Sequence, residues 1–131
     1  MILNNEFHSI FIQNIISCNQ SIRWVSIINE NGDIINERYR EGLKPFLAKE
    51  EMHESAINAI IRHKSRLKFE PKIGKLTYAF GKYEKLGRSI IPINENYYLF
   101  LTINFEESNF DEIIMKKIIP LIQKEKENFI N

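Results

Sequence analysis

Apolar residues are densest in residues 75–105, where three short apolar runs are separated by polar breaks. Aromatic and β-branched residues fill the runs, which predicts three consecutive strands with turns at residues 84–87 and 94–96. The last run, residues 97–103, is apolar at almost every position. Because a strand that is apolar on both faces must be covered on both, we expect it in the middle of a sheet.

A β-hairpin is predicted around Asn31-Gly32, because this dipeptide lies between two apolar runs. A two-residue turn there would pair Ile28 with Ile35. It would also pair Trp24 with Tyr39 and place all four side chains on one face of the hairpin. The two acids that flank the turn would then face each other, which makes a longer loop the alternative.

Apolar residues at helical spacing predict three helices, over residues 3–17, over residues 47–68 and from residue 108 onwards. The apolar stripes are, in chain order, Leu3, Phe7, Ile10, Phe11 and Ile15; Met52, Ala56, Ala59, Ile60 and Leu67, widened by Ile57 and Ile61; and Phe110, Ile113, Ile114, Ile118, Leu121 and Ile122. Ser108 and Asp111 have the spacing of a capping box for the last helix, and Pro120 is expected to kink or split it.

The predicted order of elements is therefore α-β-β-α-β-β-β-α. This order indicates an α+β fold with one five-stranded, mostly antiparallel sheet. The terminal helices are expected to pack together on one face of the sheet and the crossover helix on the other. No linker or repeat interrupts the 131 residues, so we expect a single domain over residues 1–131.

Composition excludes some classes of function. Hydrophobic residues make up 44% of the chain and charged residues 27%, as in ordinary globular proteins. The net charge of +1 gives no field that would steer the chain to nucleic acid or to a membrane surface. No apolar run reaches membrane-spanning length. The one cysteine, Cys18, cannot form an internal disulfide, so we expect a cytoplasmic protein.

The candidate catalytic and metal-binding residues do not form a recognisable site. His53-Glu54 begins like the HExxH motif of zinc proteases, but Ile57 stands where the second histidine is needed. His8, His53 and His63 are not at metal-ligand spacing, and no glycine-rich phosphate loop is present. We therefore predict a protein that is not an enzyme and that carries no metal and no cofactor.

A basic stretch follows the middle of the crossover helix and comprises Arg62, Lys64, Arg66, Lys68, Lys72 and Lys75. It could contact an acidic partner or nucleic-acid phosphates. The simpler interpretation is a solvated helix end whose positive charges favour the helix dipole. Since the whole chain is nearly neutral, we do not expect a nucleic-acid partner.

The order and spacing of these elements, with a strand that is apolar on both faces before the last helix, resemble the roadblock / dynein light chain domain. The resemblance spans nearly the whole chain. It implies a profilin/roadblock-like fold with strand order 2-1-5-4-3, in which residues 97–103 form the central strand. It also implies a non-enzymatic protein that forms homodimers or heterodimers through the crossover helix and the third strand. Many members bind or regulate small Ras-like GTPases, which makes such a GTPase the expected partner.

Shorter segments, residues 39–42, 75–86 and 91–93, resemble those of short uncharacterised proteins of ammonia-oxidising archaea. Pro92 falls inside the fourth strand, an interior strand in the order that the resemblance implies. Proline there would remove a donor from the ladder, so we expect a bulge or the end of pairing at Pro92.

In the strand order that the resemblance implies, the third strand is an edge. An uncovered edge with small residues favours pairing with a second copy, so we predict a C2 homodimer through this strand and the crossover helix. The predicted interface residues are Leu76, Thr77, Tyr78, Ala79, Phe80, Ala56, Ile60 and His63. The alternative is that the small residues seat the protein's own helix.

The sequence also leaves open a PAS-like sensory domain, which shares the same strand order. Residues 28–34 resemble the hairpin of that family. A PAS-like sensor would bind a small ligand between sheet and crossover helix, in a cavity lined by Trp24, Tyr39, Tyr98 and Phe100. A single long helix over residues 47–68 fits the roadblock pattern better, because PAS domains usually have several short helices there.

Overall fold

The computed structural model describes residues 4–130, and these contain one antiparallel sheet. Its strands are β1 (Ile22–Asn29), β2 (Ile34–Tyr39), β3 (Ala79–Lys82), β4 (Leu86–Pro92) and β5 (Tyr97–Asn104). Their order across the sheet is β2-β1-β5-β4-β3. Every side chain of β5 except that of Asn104 is buried, which confirms the central position predicted from its apolar run.

Helices cover both faces of the sheet, as predicted. They are α1 (Asn4–Ser17), α2 (Lys49–Arg66), α3 (Glu70–Ile73), α4 (Phe110–Ile113) and α5 (Ile119–Glu125). A 3₁₀ turn, Leu67–Phe69, joins α2 to α3, and a π turn, Ile114–Ile118, joins α4 to α5. A last 3₁₀ turn, Lys126–Asn128, follows α5. The predicted start of the first helix at Leu3 lies outside the described residues.

The pleat of β5 divides the core into two layers. Leu99 and Leu101 pack on the face covered by α1 and the C-terminal helices, with Ile15 and Ile114. Tyr98 and Phe100 point to the other face, where α2 lies. Phe100 meets Trp24 edge to face, with 5.6 Å between ring centroids. The terminal helices and the crossover helix therefore cover opposite faces, as the sequence predicts.

The hairpin between β1 and β2 has a longer loop than a two-residue turn. Trp24 pairs with Tyr39 as predicted, but a bulge shifts the register so that Ile28 pairs with Ile34. The predicted pairing of Ile28 with Ile35 is wrong, and Ile35 is 38% exposed. The side chain of Ile34 packs against the α2 face in its place.

The loop geometry explains this shift in register. The amide of Gly32 donates to the carbonyl of Asn29 at 3.0 Å, and Gly32 has a φ of 83°. This is a turn followed by a left-handed residue, the usual form of a three-residue hairpin loop. The Asn29 side-chain oxygen also accepts hydrogen bonds from the amides of Asn31 and Asp33, at 2.9 and 3.0 Å.

The buried faces of α1 and α2 differ in part from the predicted stripes. In α1 the buried face includes His8, Ile12 and Ile16, whereas Ile10 is 52% exposed. Because isoleucines occur on several sides of α1, periodicity allowed more than one stripe, and packing against the sheet selected one.

In α2 the stripe continues to His63 rather than Leu67, because the helix ends at Arg66 and the tighter 3₁₀ turn follows. Leu67 and Ile61 are exposed. Met52, Ala56, Ala59 and Ile60 are buried as predicted.

The C-terminal helix is interrupted at Pro120, as predicted. Proline has no amide hydrogen, and its ring crowds the carbonyl four residues earlier, so the wider π turn before it relieves both problems. The predicted capping box is wrong, because the N-cap residue is Asn109 rather than Ser108 and its side chain makes no capping hydrogen bond. The carboxylate of Glu107 accepts the Asn109 amide instead, at 3.0 Å.

Strands β3 and β4 do not begin at the residues that the sequence indicates. β3 begins at Ala79, and β4 already begins at Leu86, so the turn occupies residues 83–85. Pro92 is the last residue of β4, and pairing with β3 stops at Ile90. The expected end of pairing therefore accommodates Pro92.

Candidate protein-interaction site

Strand β3 forms one edge of the sheet, and part of its backbone is turned outward. The Tyr83 amide donates to the Leu86 carbonyl at 2.8 Å. In an antiparallel ladder the bonding direction alternates from residue to residue, so Ala79 and Gly81 face β4. The backbone donors and acceptors of Phe80 and Lys82 therefore point away from the sheet. These are the groups through which another strand could pair.

The side chains of the segment around β3 divide between two faces. The Tyr78 hydroxyl donates to a carboxylate oxygen of Asp111, and this bond raises the pKa of Tyr78 to about 12. The Phe80 ring stacks on Phe110 with 3.9 Å between centroids. Tyr78 and Phe80 therefore bind the C-terminal helix of their own chain. Ala79 packs on the other face, against the core under α2.

The Phe80 ring lies over Gly87, which is diagonally across from it on β4. A Cβ added to Gly87 would lie 2.3 Å from the Phe80 ring, so the ring occupies the space above this glycine. Leu76 is half-buried and Thr77 exposed, and both precede the strand. Of the predicted β3 interface residues, only Thr77 is exposed.

The predicted helix residues lie against the protein's own sheet. Ala56 is fully buried, and Ile60 and His63 are 3% and 4% exposed. The His63 ring meets Tyr98 edge to face at 4.9 Å, and burial lowers the pKa of His63. These three residues seat α2 on the sheet. The neighbouring flank of the helix carries Asn58 and Arg62 in exposed positions.

The basic stretch does not form one patch. Arg62 and Arg66 line a pocket between α2 and β3. The Lys68 ammonium lies 5.2 Å from the centroid of the Phe69 ring. Lys75 lines an open groove that it shares with Glu70. Lys64 and Lys72 are exposed and line neither space.

Sequence reasoning missed a third arginine in the pocket. Arg88, on β4, lines it together with Arg62 and Arg66. Arg88 is 22 positions from Arg66 in the sequence, and the packing of α2 on the sheet brings both to one pocket. No local pattern in the sequence could have indicated this cluster.

One of the two spaces between the sheet and α2 that Tyr39 lines is too small for the ligand of a sensory domain. The cavity lined by Trp24 and Tyr39, with Phe46 and Met52 at its border, has a volume of about 40 Å³. Pockets for organic ligands usually measure about 300–1,000 Å³. Tyr98 and Phe100 are core side chains that do not line it. A wider groove of about 750 Å³ opens beside it, between β2 and the start of α2, and is lined by Ile34, Tyr39 and Met52 among others. Neither space brings together the four aromatic residues that the PAS-like alternative places around its ligand.

The titratable residues of the described chain are dispersed. Residues 4–130 contain no group of three His, Cys, Asp or Glu side chains placed to hold a metal ion. Burial raises the pKa of the half-buried Cys18 thiol, which opposes its use as a nucleophile. Burial also lowers the pKa of His8, which stacks on Phe129 with 5.5 Å between centroids. None of the helices in this part of the chain is both long and apolar enough to cross a bilayer.

Solved structures share this arrangement of strands and helices. The gliding protein MglB from Thermus thermophilus is similar with a TM-score of 0.73 and 10% identity, over 98% of this chain and 95% of that one. An MglB with tetrameric arrangement is similar with a TM-score of 0.70 and 11% identity, over 96% of this chain and 87% of that one. The Roadblock/LC7 domain from Streptomyces avermitilis is similar with a TM-score of 0.68 and 7% identity, over 92% of this chain and 96% of that one. At such identities the likeness establishes the fold, and it confirms the predicted roadblock-like architecture. The sequence matches no protein-family model and no curated protein.

Proposed function

We propose that the protein is a non-catalytic dimerisation module that binds a protein partner in the cytoplasm, and that this partner is a small Ras-like GTPase. The uncovered edge of β3 beside α2 carries the proposal. Its support is the outward backbone of Phe80 and Lys82, together with the likeness to structures of roadblock type, one of which is described as tetrameric. The GTPase part follows from the family resemblance of the sequence.

In the proposed C2 dimer, the β3 strands of two copies pair antiparallel and join two sheets. The backbone of residues 77–82 supplies the hydrogen bonds. The α2 helices then lie side by side through the flank that carries Asn58 and Arg62, while Ala56 and Ile60 stay in each copy's own core. This arrangement covers the open edge, which is otherwise a site of uncontrolled association.

The substitution Lys82→Pro tests the strand pairing. It removes an amide that points away from the sheet and leaves the β3–β4 hydrogen bonds intact, because those come from Gly81 and Tyr83. We expect the variant to be a folded monomer by native mass spectrometry and circular dichroism. Lys82→Ala makes the same change of charge but keeps the amide, so it should remain a dimer. A dimer that survives Lys82→Pro would refute this interface.

The GTPase part needs a separate experiment. The purified protein is immobilised and offered purified small Ras-like GTPases, each loaded with GDP or with a non-hydrolysable GTP analogue. We expect one nucleotide state to be retained more strongly than the other. Equal, background-level retention of both states would remove the GTPase from the proposal and leave the dimer untouched.

A further inference from the structure

The pocket between α2 and β3 is a small, basic space with a floor of small residues. Its volume is about 150 Å³. Ala59 of α2 and the β3 residues Ala79 and Gly81 contribute little side-chain volume to it. Arg62 and Arg66 line it from the helix and Arg88 from the sheet. The small residues thus leave room for a group that three guanidinium groups can reach.

Arg88 is held in place before anything binds. Its guanidinium donates a hydrogen bond to the Tyr83 hydroxyl at 3.0 Å. It also lies 5.2 Å from the centroid of the Tyr83 ring and 5.5 Å from that of Phe100. Such stacking on aromatic faces suits the planar guanidinium. Because the side chain is already ordered, binding at this arginine loses less conformational entropy.

None of the three arginines forms an ion pair in the described part of the chain. Arg62 and Arg66 are four residues apart on one helix, a spacing at which like charges repel. Within residues 4–130 the one ion pair joins Lys116 to Glu112 on the C-terminal helix, so no carboxylate lies within 4.0 Å of any pocket arginine. A cluster of this kind is electrostatically unfavourable until an anion enters it.

We propose that this pocket binds the phosphate dianion, either as inorganic phosphate or as the terminal phosphoryl group of a small phosphomonoester. The guanidinium fork matches the geometry of phosphate oxygens and forms charge-assisted bonds with them. The volume lies below the range of about 300–1,000 Å³ that is typical of pockets for whole organic ligands. Only the phosphoryl group is therefore enclosed, and any remainder of the ligand lies in solvent. All the lining residues come from one copy of the chain, but Arg62 and β3 also belong to the proposed dimer interface. The titration is therefore made on Lys82→Pro, the expected monomer, as well as on the parent protein.

Isothermal titration calorimetry at constant ionic strength tests the proposal, with inorganic phosphate in one arm and glycerol 2-phosphate in the other. Arg62→Gln and Arg88→Gln should each weaken binding about tenfold or more, as expected for the loss of a hydrogen-bonded charge. Lys64→Gln removes the same charge from α2 outside the pocket and should leave the affinity within about twofold. Arg62 is exposed, so its variant stays informative if Arg88→Gln fails to fold.

The outcomes separate the two sources of phosphate from each other and from diffuse charge attraction. Binding of inorganic phosphate alone supports a site for the free anion, and tighter binding of the ester supports a site for a phosphoryl group. An equal loss of affinity in Arg62→Gln and Lys64→Gln would show diffuse charge attraction and overturn the proposal. Absence of binding heat in both arms, up to millimolar ligand, would overturn it as well.

Discussion

Replacing Gly32 by alanine tests how the hairpin turn docks on α2. Gly32 has a φ of 83°, and a Cβ built there would lie 2.6 Å from the Cα atom of Ile57. It would also lie 3.0 Å from the Ile57 backbone nitrogen. Carbon atoms in contact are normally about 3.5–4.0 Å apart. Since the obstacle is helix backbone, the turn or the helix must move by about 1 Å to accept the methyl group.

Three contributions set the magnitude. A left-handed conformation costs a residue other than glycine about 1–2 kcal/mol, and the lower entropy of the unfolded variant offsets about 0.4–1 kcal/mol of that loss. Overpacking against a rigid neighbour costs about 1–3 kcal/mol more. We therefore expect Gly32→Ala to lower the free energy of unfolding by about 2–4 kcal/mol.

Gly42→Ala is the matched control. Gly42 has the same φ of 83°, but no atom lies within 4 Å of its added Cβ. In this variant only the left-handed conformation is unfavourable, so we expect the free energy of unfolding to fall by about 1 kcal/mol. Urea unfolding at fixed protein concentration, followed by far-ultraviolet circular dichroism, should show a clearly lower midpoint for Gly32→Ala. Midpoints that agree within about 0.3 M, with equal m-values, would refute the predicted contact between turn and helix.

Three further predictions concern the core and the C-terminal helix. Burial holds the pKa of His8 below its unfolded value, so the unfolded state binds more protons and the melting temperature should fall as pH drops below about 6.5. Phe129→Ala should lower the free energy of unfolding by about 3 kcal/mol in urea titrations, because Phe129 is 3% exposed and packs on other aromatic rings. Asp111→Asn should lower the pKa of Tyr78 from about 12 toward 10, measured by ultraviolet absorbance of the phenolate.

Each of these has a control. For the pH effect, His8→Leu should reduce the dependence, and the remainder belongs to His63, whose pKa burial also lowers. An unchanged slope in His8→Leu would contradict the contribution of His8. A loss below about 1 kcal/mol in Phe129→Ala would show that the chain end does not anchor the core. The Tyr78 signal is obtained by subtracting the titration of Tyr78→Phe, and an Asp111→Asn curve that matches the parent would exclude the hydrogen bond.

Local pattern predicted most of the fold. The alternation and density of apolar residues determined the order of the elements, the central place of residues 97–103 and the interruption at Pro120. These features depend on residues that are close together in the sequence. The side-chain periods of strands and helices, and the effect of the missing amide hydrogen of proline, each extend over only a few residues. The hairpin shows the limit of such reasoning. The sequence indicated its position, but the side chain of Asn29 and the left-handed Gly32 decided the loop length and hence the register.

Contacts between distant segments decided the rest. Which stripe of α1 faces the sheet depended on packing, since Ile10 and Ile12 are equally apolar and only Ile12 is buried. His63 joined the core because α2 lies over Tyr98.

The sequence by itself determined that the chain has an α+β fold with one sheet between helices, because burial of apolar residues at period 2 and period 3.6 allows few other arrangements. It could not determine the surface that the fold exposes. The arginine pocket depends on the packing of α2 on the sheet, which brings Arg62 and Arg66 to the same space as Arg88. The open edge depends on the place of β3 in the sheet, which the pairing of β4 with β5 decides. No local pattern encodes either arrangement.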